Sequence, residues 1–342
     1  MNRSMLMVMI AGLLALVAVF TVRNFRRDPA TKQDAAGAVE DFGRDEIEAR
    51  ESLRIHPEDC RARLKLATSL RRQGKISEAE AELIRAIQDK LPQEEGRREV
   101  VLQMAPKDWP EKMEGMFQQV VREHPDDREV LAAVAASYSA KGRWENAEPL
   151  YSRLVVVEPD RAEWRFQRGV ARMRTAYFVN AVEDFREVLK GDSSNYQARL
   201  FLGHSLLGDA RMSDAERELE TCRQQRPEAT EPLVGLADCA MERNDLTAAE
   251  SLLNQAAKLD NKSAQVFQEL AKLYLRQQRT PEAITALRRL LALDPNHRQG
   301  HLQLSQALLA IGNKTEASQH EAIYQELDRK EEERLNSKRG VR

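Results

Sequence analysis

The sequence predicts an all-α chain in which about eight helix–turn–helix units of 34 residues stack as an α-solenoid behind one transmembrane helix. Three observations predict it: alanine recurs at a 34-residue step, Met5 to Val22 run 18 residues without a charge, and the composition favours helix. Of 342 residues, 42% are hydrophobic, 5% aromatic and 32% charged, with 15 Gly and 12 Pro, a mixture that forms helices readily. The 53 basic side chains stand against 55 acidic ones for a formal charge of -2. That balance excludes a chain-wide basic field for nucleic acid or an anionic surface. Cys60, Cys222 and Cys239 are too few for a disulfide framework and include no CxxC pair. They read as reduced, packed thiols.

Residues 1–27 make the anchor with its flanks. The segment MLMVMIAGLLALVAVFTV follows Arg3 and precedes Arg23, Arg26 and Arg27. As a helix it would span about 27 Å, enough for a hydrocarbon core. Its length, and the lack of an A-x-A-type site before Arg23, favour an uncleaved anchor over a signal peptide. The positive-inside rule divides narrowly here; it leans toward cytoplasmic repeats and leaves the periplasmic side open. Residues 28–44 carry Pro29, Gly37 and Gly43 among mixed polar residues without a sustained period, the pattern of a short tether. Residues 45–59 read as the second half of a truncated leading unit that ends at Pro57.

Residues 60–331 hold the repeats. A 34-residue step aligns Ala79, Met113, Ala147, Ala181, Ala215, Ala249, Ala283 and Ala317, alanine in seven of eight units. Four residues later stand Leu83, Phe117, Tyr151, Phe185, Leu219, Leu253, Leu287 and Glu321. Twelve residues earlier stand Ala67, Val101, Ala135, Gly169, Gly203, Ala237, Ala271 and Ser305. Small residues at both places let two antiparallel helices cross at roughly 8–10 Å, and the larger side chain one turn on fills the space beside the crossing. Pro57, Pro125, Pro159, Pro227 and Pro295 end second helices in the same register, and Gly74, Gly142 and Gly312 mark the turn inside a unit. Residues 332–342 are a charged tail following a polar helix that covers the last apolar face.

These residues resemble the tetratricopeptide repeat family, whose pattern is W-x2-L-G-x2-Y, then A-x3-F, then P. The units begin at Cys60, Glu94, Arg128, Ala162, Tyr196, Thr230, Ala264 and Arg298. The tryptophan position departs from the pattern: Arg63, Arg97, Leu131, Arg165, Arg199, Leu233, Phe267 and His301 fill it. Pro106 and Pro110 disturb the unit from Glu94, and Arg168 and Arg172 take usually apolar places in the unit from Ala162.

The resemblance implies a right-handed superhelix whose inner wall, built by each unit's first helix, holds a protein partner. By position, the wall candidates are Phe166, Val170, Met173, Leu200, His204, Leu207, Val234, Asp238, Met241, Lys272, Leu275, Arg276, Leu302 and Leu309. Ala132, Ala136, Ser139, Arg174, Glu242, Gln268 and Gln306 accompany them. The mixture suits an apolar or amphipathic segment rather than a highly charged peptide. The competing reading of the same apolar residues is packing between neighbouring helices.

Catalytic chemistry finds no foothold. There is no phosphate-binding loop, dinucleotide glycine pattern, HExxH or nucleophile elbow, so neither an active site nor a cofactor is expected. His297, His301 and His320 would offer a metal face only with further ligands, and structural roles are expected of them. The resulting expectation is a membrane-anchored, non-catalytic scaffold of the bacterial inner membrane. The alternatives are a nucleic-acid-binding repeat protein and a non-catalytic subunit of an enzyme complex.

Overall fold

A computed structural model describes residues 31–107, 109 and 113–339. These form seventeen helices and no strand. They are α1 (Thr31–Ile55), α2 (Cys60–Arg72), α3 (Ile76–Gln88), α4 (Gln93–Met104), α5 (Glu114–Glu123), α6 (Arg128–Ala140), α7 (Trp144–Val157) and α8 (Ala162–Arg174). Then follow α9 (Phe178–Gly191), α10 (Tyr196–Gly208), α11 (Met212–Gln225), α12 (Glu231–Glu242), α13 (Leu246–Leu259), α14 (Ala264–Arg276), α15 (Thr280–Leu293), α16 (Arg298–Ala310) and α17 (Lys314–Arg339). The chain divides into two compact units between Tyr177 and Phe178. Within each, every helix packs on its neighbour in sequence, as stacked hairpins do.

The crossing positions explain that stacking. Ala79, Ala147, Ala181, Ala215, Ala249, Ala283 and Ala317 are all buried, as are Ala67, Val101, Ala135, Ala237 and Ala271. Leu83, Phe117, Tyr151, Phe185, Leu219, Leu253 and Leu287 are buried one turn on. Gly203 shows how close the approach is: a Cβ there would lie 2.8 Å from both Cγ and Cδ2 of Leu219.

The turn inside each unit repeats one backbone device. Gly74, Gly142 and Gly312 have φ of +79°, +67° and +81°. At the same 34-residue step, Ala176, Ala210, Asn244 and Gln278 adopt φ of 63°, 59°, 62° and 61°. Each left-handed residue lets the following N–H return to a carbonyl five residues back: Arg143 to Tyr138 at 2.8 Å, Arg211 to Leu206 at 2.8 Å, Arg279 to Tyr274 at 2.8 Å. This pairs carbonyls that the helix end would otherwise orphan. First helices begin on matching caps: Asp59, Asp127, Asn195 and Ser263 accept N–H groups of the opening turn, and His297 Nδ1 accepts that of Gly300 at 2.9 Å.

The absent tryptophan signature is replaced by polar latches. Arg63 donates to the Pro57 carbonyl at 2.5 Å and pairs with Glu82 at 3.1 Å. Arg199 donates to Ser193 O at 2.6 Å and pairs with Glu218 at 2.6 Å. His301 repeats the geometry with other chemistry: its Nε2 lies 3.0 Å from Pro295 O and its Nδ1 2.9 Å from His320 Nδ1. Since a carbonyl only accepts, Nε2 of His301 donates to Pro295 O, and with a neutral ring its Nδ1 accepts from His320. Each latch joins the preceding turn to both helices of its unit.

Three expectations need correction or placement. Of residues 28–44, expected as a tether, 28–30 lie outside the described residues and 31–44 belong to α1; the Ala, Glu, Gln and Asp residues there sustain helix despite two glycines, each costing about 1 kcal/mol relative to alanine. In the unit from Glu94, α4 ends at Met104 and α5 begins at Glu114, and Trp109 fills the core between them, 2% exposed, against Phe117 with ring centroids 4.6 Å apart. Its backbone carbonyl accepts Lys141 Nζ at 2.7 Å. The anchor, residues 5–22, lies outside the described residues, among which no helix is long and apolar enough to cross a membrane.

Candidate partner-binding wall

The first helices, which make up the candidate wall, meet through different chemistry in the two units. In the unit ending at Tyr177, α2, α4 and α6 meet through ion pairs. Glu129 receives Arg98 at 2.9 Å, Arg71 at 3.2 Å and Arg72 at 3.1 Å, while Arg98 also holds Asp127 at 2.6 Å. The buried Glu99 accepts Arg71 Nε at 2.7 Å, Gln103 at 3.0 Å and Thr68 at 3.1 Å. Burial raises the Glu129 carboxyl, but Arg98, then Arg72 and Arg71, hold it below the usual carboxylate range. Three arginines thus face three carboxylates, and this wall has its charge satisfied from within. Sequence reading missed the network; its signal was Arg71 and Arg72 at one helix end, with acids at 99 and 129.

Six of the wall candidates are core residues instead. Phe166, Val170, Met173, Leu200, Val234 and Met241 are all buried. Consecutive first helices touch directly, α10 with α12 and α12 with α14, so a side chain a fraction of a turn from the open face falls in their seam. Val234 and Met241 join the cluster containing Leu253, Leu270 and Leu273. Arg174 is largely enclosed, and burial lowers its guanidinium to about 10.

The open face of the 178–339 unit comprises His204, Leu207, Asp238, Lys272, Leu275 and Leu302, all partly buried, with Arg276 and Leu309 exposed, Leu309 by 53%. Glu242 and Gln306 are exposed beside them. The face therefore alternates leucine with charge. A surface pocket of about 490 Å³ lies elsewhere, among Arg223, Pro227, Leu233, Lys258 and Leu259 near the ends of α11 and α13.

The three histidines are engaged structurally: His297 caps α16, and His301 bonds His320. Burial lowers His297, and burial followed by the neighbouring His301 lowers His320. No group of three metal-ligating residues occurs among the described residues. Cys222 and Cys239 are buried free thiols, each pushed up to about 12 by burial, while Cys60 is partly accessible.

Two family profiles, both described as tetratricopeptide repeat, match residues 133–196 with 269–331 and residues 206–273. DnaJ homolog subfamily C member 3 of Gallus gallus is 26% identical over 180 residues, 48% of this chain and 36% of that protein. Tetratricopeptide repeat-containing protein trd-1 of Caenorhabditis elegans is 23% identical over 169 residues, 49% of this chain and 21% of that protein. The matches thus span about a third and a fifth of these relatives. The solved APC/C hetero-tetramer Cut9-Hcn1 shares the fold at a TM-score of 0.51 and 15% identity, covering 79% of this chain and 53% of that one.

Proposed function

Because the chain belongs to the tetratricopeptide repeat family, matched by its profiles between residues 133 and 331, we propose that it is a non-catalytic adaptor. It holds an amphipathic segment of a protein partner on the open wall of α10, α12, α14 and α16. The observation that carries this reading is the pattern left after the buried residues are removed: Leu207, Leu275, Leu302 and Leu309 remain accessible, with Asp238, Lys272 and Arg276 between them. Leucines spaced along parallel helices offer contact area, and the interspersed charges set register, as an amphipathic helix in a groove requires.

The second element of the proposal is tethering. Residues 5–22 are uncharged and long enough for a hydrocarbon core, so the adaptor holds its partner at a membrane. The three arginines after the segment, against Arg3 before it, favour repeats on the cytoplasmic side of that membrane.

The test is site-specific photocrosslinking in the native membrane from position 207 or 275, with Val156, 78% exposed on α7, as the control. A discrete crosslinked partner from the wall positions is expected. Leu207→Glu with Leu275→Glu should abolish it while far-ultraviolet circular dichroism stays unchanged. The same partner crosslinked equally from Val156, or retained by the double variant, would refute the wall.

A further inference from the structure

The open wall contains hydrogen-bond acceptor atoms that meet no donor among the described residues. Glu269, on α14, is 1% exposed; its Oε1 takes Lys272 Nζ at 2.6 Å, while its Oε2 is buried and meets no donor among the described residues. Gln268, adjacent in sequence and one turn from Lys272 on the same face, is 7% exposed, and its amide makes no hydrogen bond among the described residues. On the neighbouring α12, the partly accessible Asp238 makes no hydrogen bond among the described residues and feels Glu269, Lys272 and Glu242 electrostatically. On α16, Gln303 Oε1 is a further buried atom without a partner among the described residues. Buried polar groups are ordinarily bonded, and leaving one unmet is costly. The unmet oxygen of Glu269, with the unbonded amide of Gln268 beside it in sequence and the Asp238 carboxylate on the neighbouring helix, therefore describes a place built for donors.

Charge gives the sign of the ligand. Asp238, Glu242 and Glu269 face the single ammonium of Lys272; Arg276 lies one turn farther and reaches toward Asn244, 3.5 Å away. Burial pushes the Asp238 carboxyl well above the usual carboxylate range; Glu269 and Glu242 add to this and Lys272 opposes it. An incoming cation relieves that repulsion.

We infer that the Asp238, Gln268 and Glu269 cluster is a pocket for one arginine side chain carried by the partner segment. A guanidinium presents five N–H donors in a planar fork and is weakly hydrated, so it can meet separate acceptors at once and be desolvated at modest cost. A lysine ammonium, compact and strongly hydrated, fits less well. This inference rests on the wall being the partner-binding surface.

The experiment uses the full-length protein and fluorescein-labelled 18-residue amphipathic peptides of leucine and alanine with one central Arg, Lys, Gln or Glu, read by fluorescence anisotropy. The Arg peptide should bind at least tenfold more tightly than the Gln peptide, and the Glu peptide most weakly. Asp238→Asn with Glu269→Gln should erase the preference while the residual leucine-driven binding persists. Asp238→Asn alone should melt no lower than the wild type, because that carboxyl gives up no hydrogen bond. Equal binding of the Arg and Gln peptides, blocked by Leu207→Glu with Leu275→Glu, overturns the arginine pocket and leaves the wall standing. Peptide binding indifferent to both sets of substitutions, or none at all, overturns both.

Discussion

Ala210→Gly should stabilise the protein although it deletes a methyl group. Ala210 sits at φ 59°, in the turn between α10 and α11, where its N–H bonds Leu207 O at 3.0 Å and the following N–H bonds Leu206 O at 2.8 Å. The backbone is thus held left-handed by the cap, and a residue with a Cβ bears about 1–2 kcal/mol for adopting it. Glycine removes that penalty but makes the unfolded chain freer by about 0.5–1 kcal/mol. The net gain is about 0.5–1 kcal/mol, or a melting shift of about 1–4 °C for a unit of this size. Ala210 is exposed, so no core contact is lost. Gln278→Gly, two repeats away at φ 61°, should add independently. The reverse substitution isolates the same term: a Cβ at Gly312 meets nothing within 4 Å, and φ there is +81°, so Gly312→Ala should cost about 1 kcal/mol with no steric clash. Urea titrations followed by circular dichroism read these as midpoint shifts at constant slope. A lower midpoint for Ala210→Gly together with an unchanged one for Gly312→Ala would refute the conformational argument.

Three other predictions concern packing, titration and access. Gly203→Ala drives a methyl to within 2.8 Å of Leu219 and should cost about 1–3 kcal/mol, with Ala215→Leu costing as much on the facing helix; unchanged thermal melts would count against the crossing. His297 caps α16 through Nδ1 as the neutral ring, and burial depresses its pKa. Its contribution is present above the unfolded value near 6.5 and is lost as pH falls through the lower folded value. His297→Asn, a cap that does not titrate, should flatten the melting temperature between pH 7.5 and 5.5, and equal slopes for the two proteins would contradict the cap. Native protein treated with a thiol reagent should react rapidly at Cys60 and slowly at the buried Cys222 and Cys239, all three reacting in denaturant; rapid labelling of Cys222 in the native state would show that helix α11 opens.

The repeat was legible because its determinants are single residues in a fixed register. Ala215, Gly203 and Leu219 sit at one crossing, and the same three kinds of residue recur at most crossings, with Val101, Met113 and Glu321 as exceptions, so the period alone located them. The left-handed turns at Ala176, Ala210 and Gln278 were not legible residue by residue, since nothing in alanine or glutamine asks for positive φ; only the step from Gly142 and Gly312 points there. The latches at Arg63, Arg199 and His301 read as a missing signature because guanidinium and imidazole replace an indole. The wall was harder for a geometric reason. Helix periodicity separates apolar from polar faces, but a seam between two first helices and the open face beside it differ by about one residue, roughly 100° of rotation. Leu200 and Met241 therefore satisfied the same pattern as Leu207 and Leu275 yet are buried, and a charge placed at either would unfold the repeat rather than test the groove.

The polar residues of the wall obey a different logic from the rest of the chain. In the 31–177 unit the buried or half-buried carboxylates of the wall are fully engaged: Glu99 takes three donors and Glu129 three arginines. At Glu269 the match is incomplete: Oε1 takes Lys272 but the buried Oε2 meets no donor among the described residues, and the Gln268 amide beside it and the Asp238 carboxylate on the adjoining helix make no hydrogen bond among them either. Sequences that agree with their fold at every other level depart from it where function makes a demand. The departure falls on first helices that also keep Leu207, Leu275, Leu302 and Leu309 open to solvent among the described residues, so the proposed wall carries both the acceptors and the apolar contact area.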